Sequence, residues 1–189
     1  ILSGWRLRNS NKAARIPEKH SETAFMTKRA MEFIEESKDK PWFLHLSYIK
    51  PHWPYMAPAP YHNMYSANEF YPVHRNDAER NNDHPVYKAF MENSISKTFS
   101  KDEVRNTVLS GYMGLIKQID DNLGRLFKFI EESGHMEDTM IIFTSDHGDY
   151  QGDHWLGEKE LFHEQSVRVP MIIYDPSEYA NKTRGTKER

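Results

Sequence analysis

Two acid–imidazole pairs, Asp146-His147 and Asp153-His154, stand in one polar stretch that also carries Lys159 and Glu164. An adjacent carboxylate and imidazole can both ligate a divalent cation, the first supplying charge and the second a borderline-soft nitrogen. A lysine close by offers an anion a compact charge with three donors. Far upstream, His52 lies in Lys50-Pro51-His52-Trp53-Pro54. Proline fixes φ and restrains the residue before it, so the backbone aims that ring. Plain alternatives exist. Asp and Gly are common turn residues, and an isolated Pro-His-x-Pro suits a surface loop. A turn, however, does not call for two Asp-His pairs and a lysine together.

These side chains need elements to position them. Met140 to Thr144 is a short apolar run rich in β-branched residues, which reads as a strand buried on both faces. It stops at Ser145-Asp146-His147-Gly148, placing the first pair at a strand's carboxyl end, where open α/β sheets hold ligands. Val167 to Tyr174 reads as a second buried strand and Trp42 to Tyr48 as a third, with His52 in the loop that leaves it. Ser21 can cap a helix in which Met26, Ala30, Phe33 and Ile34 repeat at helical spacing, ending near Ser37. Ser100-Lys101-Asp102-Glu103 reads as a capping box. It would open a long helix to about Ser133, with Val104, Val108, Tyr112, Leu115, Ile119, Leu123, Leu126 and Ile130 on one face, a bend at Gly111, Gly114 or Gly124, and Gly134 as its stop. Asp120 and Asp121, beside Lys117 and Arg125, read as surface pairs. Residues 1–20 read as a loop or arm, and helical turns are expected at 61–64 and 85–92. His62, His74 and His84 read as solvated loop residues, with substrate contact as the alternative. The alternation of strand, helix and strand predicts an α/β fold with a mostly parallel sheet flanked by helices.

Length and composition narrow the function. The 189 residues suit one domain, 1–189, able to bury a core. A formal net charge of -3 argues against nucleic-acid binding. No apolar run approaches the ~20 residues of a membrane span. The chain contains no cysteine, which excludes disulfides, thiolate metal sites and a cysteine nucleophile. The missing cysteine leaves the compartment open, with a cytoplasmic location favoured. Ile1-Leu2-Ser3-Gly4 at one end and a polar run at the other read as the ends of an internal piece of a longer protein.

Ser145 to Gly148, Gly152-Asp153-His154, Lys159 and Arg168-Val169-Pro170 follow one another in an order that resembles the sulfatase branch of the alkaline phosphatase superfamily. The nearest resemblance is to the phosphonate monoester hydrolases and arylsulfatase-like enzymes, which also carry Pro-His-x-Pro after an apolar strand. The resemblance implies part of an alkaline-phosphatase-like three-layer sandwich and hydrolysis of sulfate, phosphate or phosphonate esters on a divalent cation. It makes Asp146 and His147 metal ligands, and His52 and Lys159 catalytic and substrate-binding donors to the ester's oxygens. Asp153, His154 and Arg168 become supports. Manganese, zinc or calcium would suit the ion, and the imidazole favours a transition metal. The family's formylglycine arises in a Cys/Ser-x-Pro/Ala-x-Arg segment, which this chain lacks. That nucleophile and further metal ligands are expected upstream. The chain should then be an inactive fragment that self-associates or joins its missing half. Two alternatives are a non-catalytic module binding anions or a partner, and a phosphatase relative with a serine or threonine nucleophile.

Overall fold

The computed structural model describes residues 6–182. Helix α1, Glu22–Ser37, begins where the sequence offers a cap, the Ser21 hydroxyl accepting from the Ala24 N–H at 3.2 Å. Its buried positions Thr23, Thr27, Ala30 and Ile34 form one stripe, and Ala30 and Ile34 meet Leu126 and Ile130 of the long helix. Helix α2 spans Pro85–Glu92, as expected, and α3 spans Ser94–Phe99. Helix α4 runs unbroken through the 31 residues Asp102–Glu132. The expected capping box does not form. Ser100 instead closes α3, its hydroxyl donating to the Lys97 carbonyl at 2.9 Å, and Lys101 opens α4 without a side-chain cap. At the other end Gly134 takes φ 78°, and the His135 N–H reaches back to the Ile130 carbonyl at 3.0 Å. This is the left-handed stop that glycine supplies.

Gly111 marks a close approach. A Cβ there would lie 2.6 Å from the backbone oxygens of both Ser10 and Tyr55. The segment before α1 is therefore more than a loose arm, because Leu7, Asn9 and Ser10 are buried against α4. Leu7, Tyr55, Tyr61, Phe99, Val108 and Leu115 make up one core, and α1 and α4 share a second.

The sheet corrects the expected strand order. Strand β1, Ile141–Thr144, pairs antiparallel with β2, Met171–Tyr174, with Ile141 opposite Tyr174 and Thr144 opposite Met171. No parallel pair exists among the described residues: the link between β1 and β2 holds a 3-10 turn at Asp153–Trp155 and the short helix α5, Glu164–Val167, and turns the chain back on itself. Trp42 to Tyr48 is extended but forms no ladder. Its side chains alternate: Trp42, Leu44 and Leu46 pack on the α1–α4 core, while Phe43 points outward. The strands are also not buried on both faces, Ile142 being 57% and Ile172 62% exposed. No helix among the described residues is long and apolar enough to cross a membrane.

Candidate functional site

Two loops bring the sequence-predicted residues together. The first leaves the Trp42–Tyr48 segment, and Lys50 clamps it: its half-buried ammonium donates to the carbonyls of His52, at 3.2 Å, and Pro54, at 2.9 Å. Burial draws the Lys50 ammonium below the usual lysine range. Inside the clamp, His52 Nδ1 lies 2.9 Å from the Trp53 carbonyl. A carbonyl only accepts, so Nδ1 carries the proton and Nε2 presents its lone pair. That lone pair faces Lys159 Nζ at 2.7 Å, joining residues 107 positions apart.

The second loop follows β1. His147 repeats the arrangement of His52, with Nδ1 2.7 Å from the Gly148 carbonyl, which leaves Nε2 open. The two rings stand edge to face at 6.0 Å, so the lysine–histidine pair and the acid–imidazole pair form one cluster. Asp146 is exposed, and one of its oxygens accepts from the His147 N–H at 3.1 Å. Partial burial works to raise its carboxyl, but His147 and the backbone N–H groups outweigh it and hold the carboxyl below the ordinary range. Asp146 Oδ2 and His147 Nε2 are 3.5 Å apart. Two ligands of one ion, each at roughly 2.0–2.2 Å, span a similar distance. The pair therefore fits a cation, as part of a shell. Among the described residues no group of three or more carboxylate and imidazole donors completes it.

The backbone of this second loop is strained where it serves the cluster. Gly148 is required because a Cβ would press into the Gln165 carbonyl oxygen, and its N–H bonds the Ser166 carbonyl at 2.7 Å. Beyond it, Gln151, His154, Trp155 and Glu158 all take left-handed φ values between 46° and 64°, which non-glycine residues hold only when their surroundings impose it. Those surroundings are visible. The Tyr150 N–H bonds the Glu158 carbonyl at 2.8 Å, and the Ser166 hydroxyl donates to the Lys159 carbonyl. Buried His154 lies 2.7 Å from a Glu79 oxygen and stacks on His163 at 4.2 Å. Asp153 accepts from the His74 N–H and the Gln165 amide. Asp153 and His154 thus turn away from the Asp146–His147 pair and hold the loop.

Other predicted residues stand apart. Lys117 pairs with Asp120 at 2.8 Å and Asp121 at 2.7 Å, as expected of surface charges, whereas Arg125 reaches Glu18 instead. Among the described residues Arg168 reaches only Glu164 of its own turn, at 3.5 Å. His74 and His84 are exposed. Two contributors escaped sequence reasoning. One is the Lys50 clamp, whose single signal was a lysine two residues before His52. The other is Tyr55, whose hydroxyl donates to Asp149 at 2.6 Å and ties the two loops together. Burial pushes the Asp149 carboxyl up. No local pattern announces a contact across 94 residues.

The chain matches the sulfatase family over residues 4–188. It is 39% identical over 180 residues to the multifunctional alkaline phosphatase superfamily protein PehA of Trinickia caryophylli, which covers 88% of this chain and 35% of that protein. Against an arylsulfatase of Clostridium perfringens the identity is 30% over 165 residues, covering 86% and 34%. The phosphonate monoester hydrolase SpPMH of Silicibacter pomeroyi superposes with a TM-score of 0.81 at 30% identity, over 90% of this chain and 35% of that one. The phosphonate monoester hydrolase of Agrobacterium radiobacter gives 0.81 at 31%, over 88% and 35%. The chain spans about a third of the length of these relatives. The superpositions bear out the partial α/β, alkaline-phosphatase-like class.

Proposed function

The chain belongs to the sulfatase family, and from that premise we propose that it forms part of a metal-dependent hydrolase of sulfate or phosphonate esters. The observation that carries the reading is the meeting of Lys159 Nζ and His52 Nε2 at 2.7 Å, beside the His147 ring. Nothing local requires that meeting. It sets two nitrogen groups where the oxygens of a tetrahedral anion could lie. Lys159 offers its fixed charge to one oxygen, and His52, once protonated, can donate to another or return a proton to the departing alcohol. Asp146 and His147 would hold part of the shell of a divalent cation, with manganese or zinc favoured over calcium by the imidazole. A bound ion would polarise the transferred group and its nucleophile. Preorganised donors of this kind act in the transition state, where charge gathers on the oxygens.

The nucleophile, a formylglycine by family resemblance, and the remaining metal ligands belong to sequence beyond this chain. On this reading the chain, 1–189, is one segment of a larger catalytic domain, and its bare sheet faces are covered by that domain's other strands or by a second copy. The substrate is a small ester and not a nucleic acid.

The test is an assay of the full-length protein on aryl sulfate, phosphonate monoester and phosphate diester substrates. We expect His52→Ala and Lys159→Ala each to lower kcat/KM by about 10²–10³-fold, the scale of one lost oxyanion donor. Asp146→Ala should lose bound metal by elemental analysis. Full turnover in a His52→Ala, Lys159→Ala double variant would refute the reading, as would turnover by residues 1–189 alone.

A further inference from the structure

Beside the lysine–histidine pair lies a cavity of about 620 Å³ that the chemistry above leaves unused. Trp53, which follows His52, and Glu158, which precedes Lys159, both line it. The floor is aromatic and aliphatic, with Tyr55, Ile95 and Phe99. Tyr55 and Phe99 stand edge to face at 6.2 Å. Exposed Arg6 and Arg8 form its rim.

We infer that this cavity is the subsite for the organic group of the ester, and that it selects an aromatic ring bearing an anionic substituent remote from the ester oxygen. The inference rests on the hydrolase reading for its orientation but on separate residues for its content. The volume lies within the range that holds small ligands. The ring edges of the floor suit a flat π-system. The charge of the occupant follows from the rim. Neither the Arg6 nor the Arg8 guanidinium has an ion pair or hydrogen bond among the described residues, and guanidinium forks match carboxylate and sulfonate groups. Glu158 is the one acid in the wall. Burial and the neighbouring Glu160 push its carboxyl up, and the two arginines outnumber it. A ring seated here would present its ester oxygen toward His52 and Lys159 and its acidic group toward the arginines.

The probes are 4-hydroxybenzoate and phenol, titrated into the purified chain by calorimetry or ligand-observed magnetic resonance. We expect 4-hydroxybenzoate to bind about tenfold more tightly than phenol, the worth of one charge-assisted hydrogen bond. An Arg6→Gln, Arg8→Gln variant should bind both probes equally, and Ile95→Trp, which fills the floor, should lose both. The arginine variant alters only exposed side chains, so the test survives if Ile95→Trp fails to fold. Equal affinity for the two probes in the native chain, no binding of either, or a preference that persists in the arginine variant overturns the inference. A full-length protein that hydrolyses no ester, while the chain keeps its preference for 4-hydroxybenzoate, would sink the hydrolase reading and support the cavity.

Discussion

The apolar stripes of the α1–α4 helical pair and the almost wholly apolar β1–β2 hairpin end in opposite environments. Ile34 and Leu115 are each 1% exposed, whereas Ile142 and Ile172 are more than half exposed. The helices find their partners within the chain, at Leu126, Ile130 and the extended Trp42–Leu46 segment. The hairpin satisfies its backbone by pairing but leaves its outer side chains uncovered. Local pattern therefore sets conformation in both regions, while burial depends on what stands opposite. The polar loop between the strands differs again, being held by hydrogen bonds and ring stacking around His154 and Tyr150.

The largest effect should come from truncating each apolar region in turn. Leu115→Ala removes a side chain from a closed core and should cost about 2–5 kcal/mol in urea unfolding. Ile172→Ala removes one that is already solvated, and in the isolated chain should change stability by no more than about 0.5 kcal/mol. Comparable losses at the two positions would show that the hairpin is covered in solution, by a second copy or by another segment. Running the same titration across a range of chain concentrations separates those cases.

Glycines sharpen the contrast within α4 itself. Helix propensity alone says that Gly→Ala stabilises by about 1 kcal/mol. At Gly124 nothing lies within 4 Å of an added Cβ, so Gly124→Ala should show that gain. At Gly111 the Cβ would meet two backbone oxygens at 2.6 Å, and backbone cannot swing aside as a side chain can. Gly111→Ala should therefore destabilise by about 1–3 kcal/mol despite its better propensity. The same sign at both sites would mean that the segment before α1 does not pack on α4. A smaller loss, about 1 kcal/mol, is expected for Ser21→Ala, which removes the α1 cap.

These positions also show what the sequence could disclose. The cap at Ser21, the stripe of α1, the extent of α4 and the stop at Gly134 were legible because each is encoded within a few neighbouring residues. Asp146-His147 was legible for the same reason, as a pair at the end of a short apolar run. Strand direction was not, since Met140–Thr144 has the same composition whether its neighbour runs parallel or antiparallel. Ser100 matched a capping box yet closed the preceding helix, because two short-range patterns overlapped there. Tyr55 and Asp149 carried no local mark at all, and Lys50 only its place two residues before His52. The pairing of His52 with Lys159 came from resemblance, and only the folded chain puts the two nitrogens 2.7 Å apart.

The smallest expected effect concerns how the site loop is held. His163 stacks on His154, and its Nδ1 lies 2.8 Å from the Tyr150 hydroxyl. Burial and the neighbouring His154 draw the His163 imidazole below its ordinary range, with Glu79 opposing them and the ring of Tyr87 alongside. The folded chain thus keeps His163 neutral at a pH where the unfolded chain, with an ordinary value of about 6.5, already binds a proton. Stability rises with pH wherever the unfolded state holds more protons, so the contribution is complete above about pH 6.5 and declines as pH falls toward the depressed folded value. A His163→Asn variant, which places an amide oxygen near the position of Nδ1, should flatten the stability profile in the window below about pH 6.5 relative to the native chain. Leu115→Ala, which removes no titrating group, should shift its profile downward and keep the native slope. If the native chain and His163→Asn fall in parallel through that window, the loop is not held by the neutral imidazole. Its support would then have to come from the apolar contacts of Tyr87, Tyr150 and Leu156, as in the helical cores.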